Sequence, residues 1–595
     1  MIKVLMNSGV LYAISVSMIL VLGSGCQTKR EQNSNLQHPN VILILTDDQG
    51  WGDLGIHGND KISTPSIDRM AGNGAQFERF YVSPLCAPTR ASLLTGKYYL
   101  RTGASWVSKG LENMRSEEVT MAEIFQNNGY KTGAFGKWHN GAHYPEHPNR
   151  QGFEEFIGFC AGHWNNYFNT TLERNGEPFP TEGYITDVLT DEAIRFIENN
   201  RENKFFCYIP YNAPHGPFQV PDQYFEKYKS MGFNDKDATV YGMCENIDDN
   251  VRRLLEKVSE LRLEENTIVI FMTDNGPNGE RYNGGMRGIK GSIHEGGVRV
   301  PCFINWKGKI APKSIETISA HIDMLPTLMT LCHLDGPENL VLDGVDLSAV
   351  LLGEDQALAE RLYFTKKSTE FIGPDGAVRS DKYRLVIENG DTMLFDMKAD
   401  PGQLIDISSN EMGQTNYMAL AYGKWFEDVN TSFISDAHIK IGYEKEDKIV
   451  LPAHEASFSG DIHFKEGHGW AHDWLVNWKN ISDSIYWDVQ VDRASDYALD
   501  ILYSCPEALI GSQLTAISGD SKANGVIALA HDPQYIQGND RVVRMEVYEK
   551  EWARLPMGVL KLAAGKQQII LKVEHIKNGS VGEIKGIVLR KVIGE

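Results

Sequence analysis

No Cys-x-x-Cys pair occurs in the sequence, and its eight cysteines (Cys26, Cys86, Cys160, Cys207, Cys244, Cys302, Cys332 and Cys505) are scattered. That spacing argues against a zinc ribbon, a redox dithiol or a disulfide framework. Cys207, Cys302 and Cys332 lie in apolar segments and read as buried free thiols. Positive charge is also short: 58 Lys plus Arg stand against 79 Asp plus Glu, a formal net charge of -21. Such a field speaks against nucleic acid or an anionic membrane as a partner, so any anionic substrate must be captured by local charge. Internal repeats and low-complexity segments are missing too, and the apolar run from Val10 to Leu22 is too short to span a bilayer comfortably. At 595 residues the chain exceeds a single core, so two or three domains are expected.

The N-terminal stretch has Lys3, that apolar run and then Gly23-Ser24-Gly25-Cys26. It has the shape of a signal peptide over residues 1–26 and resembles a bacterial lipoprotein cleavage site, with Cys26 becoming a lipidated N-terminus. Gly23 stands where an aliphatic residue is more usual, so a plain secretory signal is the alternative. The expected location is the periplasm or outer cell surface, with membrane contact only through a lipid anchor at Cys26. Residues 27–39 are polar and read as a flexible linker.

Val41-Ile42-Leu43-Ile44-Leu45 is a continuous aliphatic run, the pattern of a strand buried on both faces of a parallel sheet. It ends in Asp47-Asp48. Two carboxylates at the end of a central strand repel each other and lose hydration unless a cation lies between them. A capped turn before Gly50 is the plainer alternative. The same grammar recurs: Lys131 to Phe135 runs into Gly136-Lys137-Trp138-His139, Phe205 to Ile209 into Asn212-Ala213-Pro214-His215-Gly216-Pro217, and Thr267 to Met272 into Thr273-Asp274-Asn275-Gly276. In open α/β sheets the ligand site lies at the carboxyl edge, so four polar clusters at four strand ends point to one shared site.

Between the first two strands, Cys86-Ala87-Pro88-Thr89-Arg90 opens a helix that Gly96 ends. A helix N-terminus offers unpaired N–H groups to an anion, and Arg90 adds a fork of donors suited to tetrahedral oxyanions. The glycine-rich loop Tyr282 to Gly291 delivers Lys290. Taken alone, Cys86 would be a small buried side chain and Lys290 a solvated one.

These motifs, together with Arg287-Gly288-Ile289-Lys290-Gly291, resemble the type I (formylglycine-dependent) sulfatases over roughly residues 40 to 430. The resemblance implies an α/β alkaline-phosphatase-like sulfatase fold, with a catalytic domain over 40–355 and a small α+β subdomain over 356–435. It also implies that Cys86 is oxidised to formylglycine by a formylglycine-generating enzyme, and that one divalent ion, usually calcium, lies under the sulfate. Asp47, Asp48, Asp274 and Asn275 match the metal ligands, with modified Cys86 completing them; such an all-oxygen set suits a hard cation. Arg90 and Lys137 match residues that steady the aldehyde hydrate, His139 the one assisting its breakdown, and His215 and Lys290 those contacting the sulfate and leaving oxygen. One departure is Asn140-Gly141, where the family often has Leu-Gly after the histidine.

Beyond about Lys440 the pattern changes to short alternating runs separated by turns, which predicts an antiparallel β-sandwich over 440–595. Trp470, Trp474, Trp478, Trp487 and Trp552 there are either sugar platforms, as in carbohydrate-binding modules, or packed core. The expected activity is hydrolysis of sulfate esters on sulfated carbohydrate, a sulfated glycan being the substrate. The alternatives are a phosphonate or phosphate ester hydrolase of the same superfamily, or a glycan-binding surface lipoprotein.

Overall fold

The strand Asn40–Thr46 lies inside a ten-stranded sheet, flanked in parallel by Phe205–Pro210 on one side and Thr267–Thr273 on the other. Lys131–Lys137 follows in parallel beyond Phe205–Pro210. Every residue of Asn40–Thr46 is buried, because the pleat sends alternate side chains into two different cores. Val41, Leu43 and Leu45 pack with Phe206, Tyr208 and Met272, and Ile42 and Ile44 with Cys207, Ile209 and Phe271. The helices Cys86–Thr95, Met121–Asn127 and Met324–Leu331 cover the first core, and Ile185–Asn199 and Asp235–Glu260 the second. Thr120 and Glu123 form a capping box at the start of Met121–Asn127, with bonds of 3.1 and 2.8 Å. The sheet is mixed: Cys302–Asn305 runs antiparallel to Thr267–Thr273, and the hairpin Thr171–Arg174 with Glu177–Pro180 forms one edge.

This computed structural model describes residues 38–354, 359–369, 373–431, 433, 438–444 and 446–592. The leader with Cys26 and nearly all of the 27–39 linker lie outside the described residues. All seven described cysteines are free thiols.

After the main sheet, four antiparallel strands (Tyr363–Lys366, Gly376–Arg379, Tyr383–Glu388 and Asp391–Asp396) carry the helix Met412–Thr431 on one face. Two further sheets of six strands each enclose a third core. In Ser484–Val491 the alternation is strict, with Ile485, Trp487, Val489 and Val491 turned inward. The pairs are antiparallel except Ile439–Ile441 with Ser484–Val491, which is parallel. Trp474, Trp478 and Trp487 are fully buried in this core and are not surface platforms. Trp552 packs edge-on against Trp474 at 5.0 Å.

The β-domain is joined to the catalytic domain by buried charge. His143 Nε2 lies 3.3 Å from Glu455 Oε2, and Lys440 Nζ lies 2.5 Å from Glu146. Burial alone would lower the pKa of His143, but Glu455, Glu446 and Glu146 outweigh it and raise the pKa to about 9. Burial and Glu455 push Glu112 up to about 8. Both groups bind protons more tightly in the folded state, so folded stability falls as pH rises from each group's ordinary pKa toward its folded one. For His143 the loss runs from about 6.5 to about 9. The melting temperature of the wild type should therefore fall across that window, and His143→Gln should flatten the decline. An unchanged slope in the variant would remove His143 from this role.

Candidate active site

The four strand-end clusters and the helix bearing Cys86 converge on one buried group of charges. Gly96 closes that helix in the left-handed region (φ 66), and all ten helical residues are buried, so the helix is a core element with its N-terminus turned to the site. Arg90 Nη2 is 2.8 Å from Asp274 Oδ2 and 3.3 Å from Asp47 Oδ2, while Nη1 donates to the Lys137 carbonyl at 2.8 Å. Lys137 Nζ reaches Asp47 Oδ2 at 2.5 Å. Gly136 makes this placement possible: a Cβ there would lie 2.0 Å from the Pro210 carbonyl oxygen.

On the other side of the group, Lys290 Nζ is 2.7 Å from Asp48 Oδ1, and His215 Nε2 is 3.8 Å from Asp48 Oδ2. His215 Nδ1 bonds the Gly216 carbonyl at 2.8 Å, which turns Nε2 toward Asp48. The amide of Asn275 donates to Asp48 Oδ1 at 2.8 Å. Ligand atoms of Asp47, Cys86 and Asp274 lie within 4.8 Å of one another, as do those of Asp47, Asp48 and His215. Arg90, Lys137 and the three aspartates are sealed, whereas the side chains of Lys290 and His215 are 18% and 14% exposed and form the mouth.

Comparison with known proteins is consistent over the same region. The sulfatase family model matches residues 39–334, and that of the N-sulphoglucosamine sulphohydrolase C-terminal region matches residues 289–421. Human arylsulfatase A is 32% identical over 432 residues, covering 65% of this chain and 80% of that protein. The chain belongs to the sulfatase family.

Dog N-acetylgalactosamine-6-sulfatase is 33% identical over 355 residues, 53% of this chain and 66% of that protein's length. The crystal structure of Ps i-CgsB superposes with a TM-score of 0.63 at 29% identity, covering 67% of this chain and 95% of that one. The protein is thus a sulfuric ester hydrolase with the alkaline-phosphatase-like fold. Both family matches end before the β-domain.

The sulfatase's pocket balances its charge internally. Burial opposes ionisation of Asp47, but Lys137, His215 and Arg90 outweigh it and hold the carboxyl below its usual range. Lys290 and His215 do the same for Asp48. Asp274 goes the other way: burial and the charge of Asp47 push it up to about 7 against Arg90 and Lys137. Burial raises the Cys86 thiol, so Cys86 is no ready thiolate at neutral pH.

Two buried oxygens in this cluster, Asp47 Oδ1 and Asn275 Oδ1, have no hydrogen-bond donor. Buried acceptors left bare are costly, and together with Asp48 and Asp274 they form an oxygen donor set that fits a hard divalent cation.

Several functional features leave no trace in the motifs. Asp48 and His139 both adopt positive φ (64° and 60°), a conformation that costs on the order of 1–3 kcal/mol each and concentrates at functional sites. Asn140, the departure from the family pattern, donates to the Ala87 carbonyl at 3.0 Å and to the Glu112 carbonyl at 3.2 Å, tying the Cys86 helix in place. In the Gly162 to Phe168 segment, Trp164 packs at 5.1 Å from both Phe159 and His472, and Tyr167 donates to the carbonyls of His215 and Gly216. Through Tyr167 the segment supports the His215 loop. His57 stacks on Trp51, and His147 Nε2 bonds Glu173.

Proposed function

We propose that the sulfatase acts on sulfated carbohydrate through a formylglycine made from Cys86 and one calcium ion. The observation that carries the reading is the placement of Cys86 at a helix N-terminus within 4.8 Å of Asp47 and Asp274 ligand atoms, beneath a mouth formed by Lys290 and His215. Supporting the carbohydrate assignment are the relative named N-acetylgalactosamine-6-sulfatase and the crystal structure of Ps i-CgsB in complex with k-i-k-neocarrahexaose, 29% identical to this chain.

A formylglycine hydrate at position 86 supplies one hydroxyl for attack on sulfur and a second whose deprotonation releases sulfate. Asp47, Asp48, Asp274 and Asn275, with residue 86, would hold calcium, which adds positive charge beside the sulfate. Arg90, pinned by two carboxylates and a carbonyl, fixes the position of residue 86 relative to them. Lys290 at the mouth meets the sulfate oxygens with a full charge. His215 is held by the Gly216 carbonyl with Nε2 turned toward Asp48, and burial and Lys290 lower its pKa; the proton for the departing sugar oxygen would come from His215 or from the Lys290 ammonium beside it. His139 donates Nε2–H to the Val107 carbonyl and keeps a partnerless Nδ1 to accept the proton of the second hydroxyl.

A phosphonate monoester hydrolase shares the fold (TM-score 0.51) at 19% identity, a likeness of fold alone. Release of inorganic sulfate from a panel of sulfated glycans, beside aryl sulfate and aryl phosphate esters, tests the reading. Sulfate should be the favoured group, and Cys86→Ala should lower kcat by about 10³-fold or more. A variant as active as wild type would remove Cys86 from the chemistry, and faster phosphate ester cleavage would favour the phosphoryl reading. Added calcium should raise the melting temperature of wild type by mass action, and Asp47→Asn should abolish that rise. An equal rise in both would place the ion elsewhere.

A further inference from the structure

The C-terminal β-domain reaches the mouth of the pocket. Gly216, next to His215, lies directly under the Glu546 carboxylate: a Cβ on Gly216 would be 2.7 Å from Oε1. Glu546 is half-buried and makes no hydrogen bond or ion pair among the described residues. Its position is nevertheless fixed. The buried Arg544 donates to the Asn165 carbonyl at 2.8 Å and pairs with Asp540, which accepts from Gln219 at 2.8 Å. Three residues beyond Glu546, Glu549 accepts from the Asn165 amide at 3.0 Å.

Across Phe218 lies a second unpaired charge. Lys236, at the start of the helix Asp235–Glu260, holds its Nζ 5.1 Å over the Phe218 ring and 3.0 Å from the Cβ position of Gly279. The residue before that glycine, Asn278, donates to Asp48 Oδ2 at 3.1 Å, so Lys236 lies against the same loop that contacts Asp48. Burial and Arg281 lower the pKa of Lys236 while Asp237, Asp48 and Glu546 oppose the shift, so all three carboxylates lie within electrostatic reach of its amine. Like Glu546, Lys236 has no ion-pair partner among the described residues. A charge at a pocket rim that the protein itself leaves without an ion pair is free to bind a complementary group of a ligand. Beside Glu546, Val543 and Met545 expose apolar surface (87% and 63%) of the kind a sugar face covers.

We propose that Glu546 and Lys236, from two different domains, are specificity-determining residues of the sulfatase, reading the sugar around the scissile ester. Glu546 accepts hydrogen bonds from hydroxyls of the sugar, and Lys236 seats a further anionic group, sulfate or carboxylate, on the same glycan. The substrate class is thus a glycan with more than one anionic group close together. This inference rests on the carbohydrate reading above.

The test is a ratio. For wild type, Glu546→Gln and Lys236→Ala, kcat/KM is measured on the multiply sulfated oligosaccharide that wild type desulfates fastest and on 4-nitrophenyl sulfate, whose ring carries neither hydroxyl nor second anion. Each substitution should lower the glycan-to-aryl ratio by about tenfold or more, the effect of one lost charged hydrogen bond. A merely structural role would lower both activities together, and an unchanged ratio in both variants overturns the proposal. Wild type that cleaves the aryl ester but no glycan overturns the carbohydrate reading itself, an outcome visible before any variant is made.

Discussion

The contact on which the site depends is the three-way pairing of Arg90 with Asp47, Asp274 and the Lys137 carbonyl. It ties the helix that carries Cys86 to the ends of three strands that are distant in sequence. Arg90 and both carboxylates are wholly buried, and removing one partner of such a group typically costs about 3–5 kcal/mol because the other charge is stranded. The parallel sheet is what makes this feasible. Its aliphatic strands, buried on both faces, supply the apolar stabilisation that offsets burying five charges at one edge. A protein of net charge -21 can then offer an anion a locally positive mouth, because only Lys290 and His215 of this cluster meet solvent.

The central strands and their polar ends were legible in the sequence because burial on both faces leaves a continuous aliphatic run, as in Val41 to Leu45, that few other structures produce. The helix of Cys86 was legible from Pro88 and Gly96. The edge hairpin Thr171–Pro180 was not anticipated, although Asn175-Gly176 at its turn is the usual signal for one. Gly376–Arg379 is four residues long and flanked by turn formers, too short for a period-2 pattern to mark it as a strand. The positive φ of Asp48 and His139 has no sequence signature, since both residue types also occur in ordinary conformations. Asn140 binding the Ala87 carbonyl is a contact between segments 53 residues apart, and no periodicity records it.

The β-domain shows the same limit more strongly. Its alternating strands declare a sandwich, but its aromatic residues gave no hint of which face they served, and Trp474, Trp478 and Trp487 prove to be core. What the domain presents to the pocket is a loop of mixed charge, Asp540 to Glu549, whose partners are Asn165, Phe218 and Gln219 of the catalytic domain. Long-range polar contacts of this kind fix one docking geometry, and with it the outline of the mouth.

We propose that residue 86, held in this charge cluster, acts as an aldehyde and not as a thiol. Mass spectrometry of the peptide containing residue 86, from preparations of differing specific activity, tests it most directly. The account predicts replacement of the CH₂–SH side chain by CHO, with sulfate release proportional to the converted fraction. Full activity in protein carrying only the unmodified thiol would contradict it.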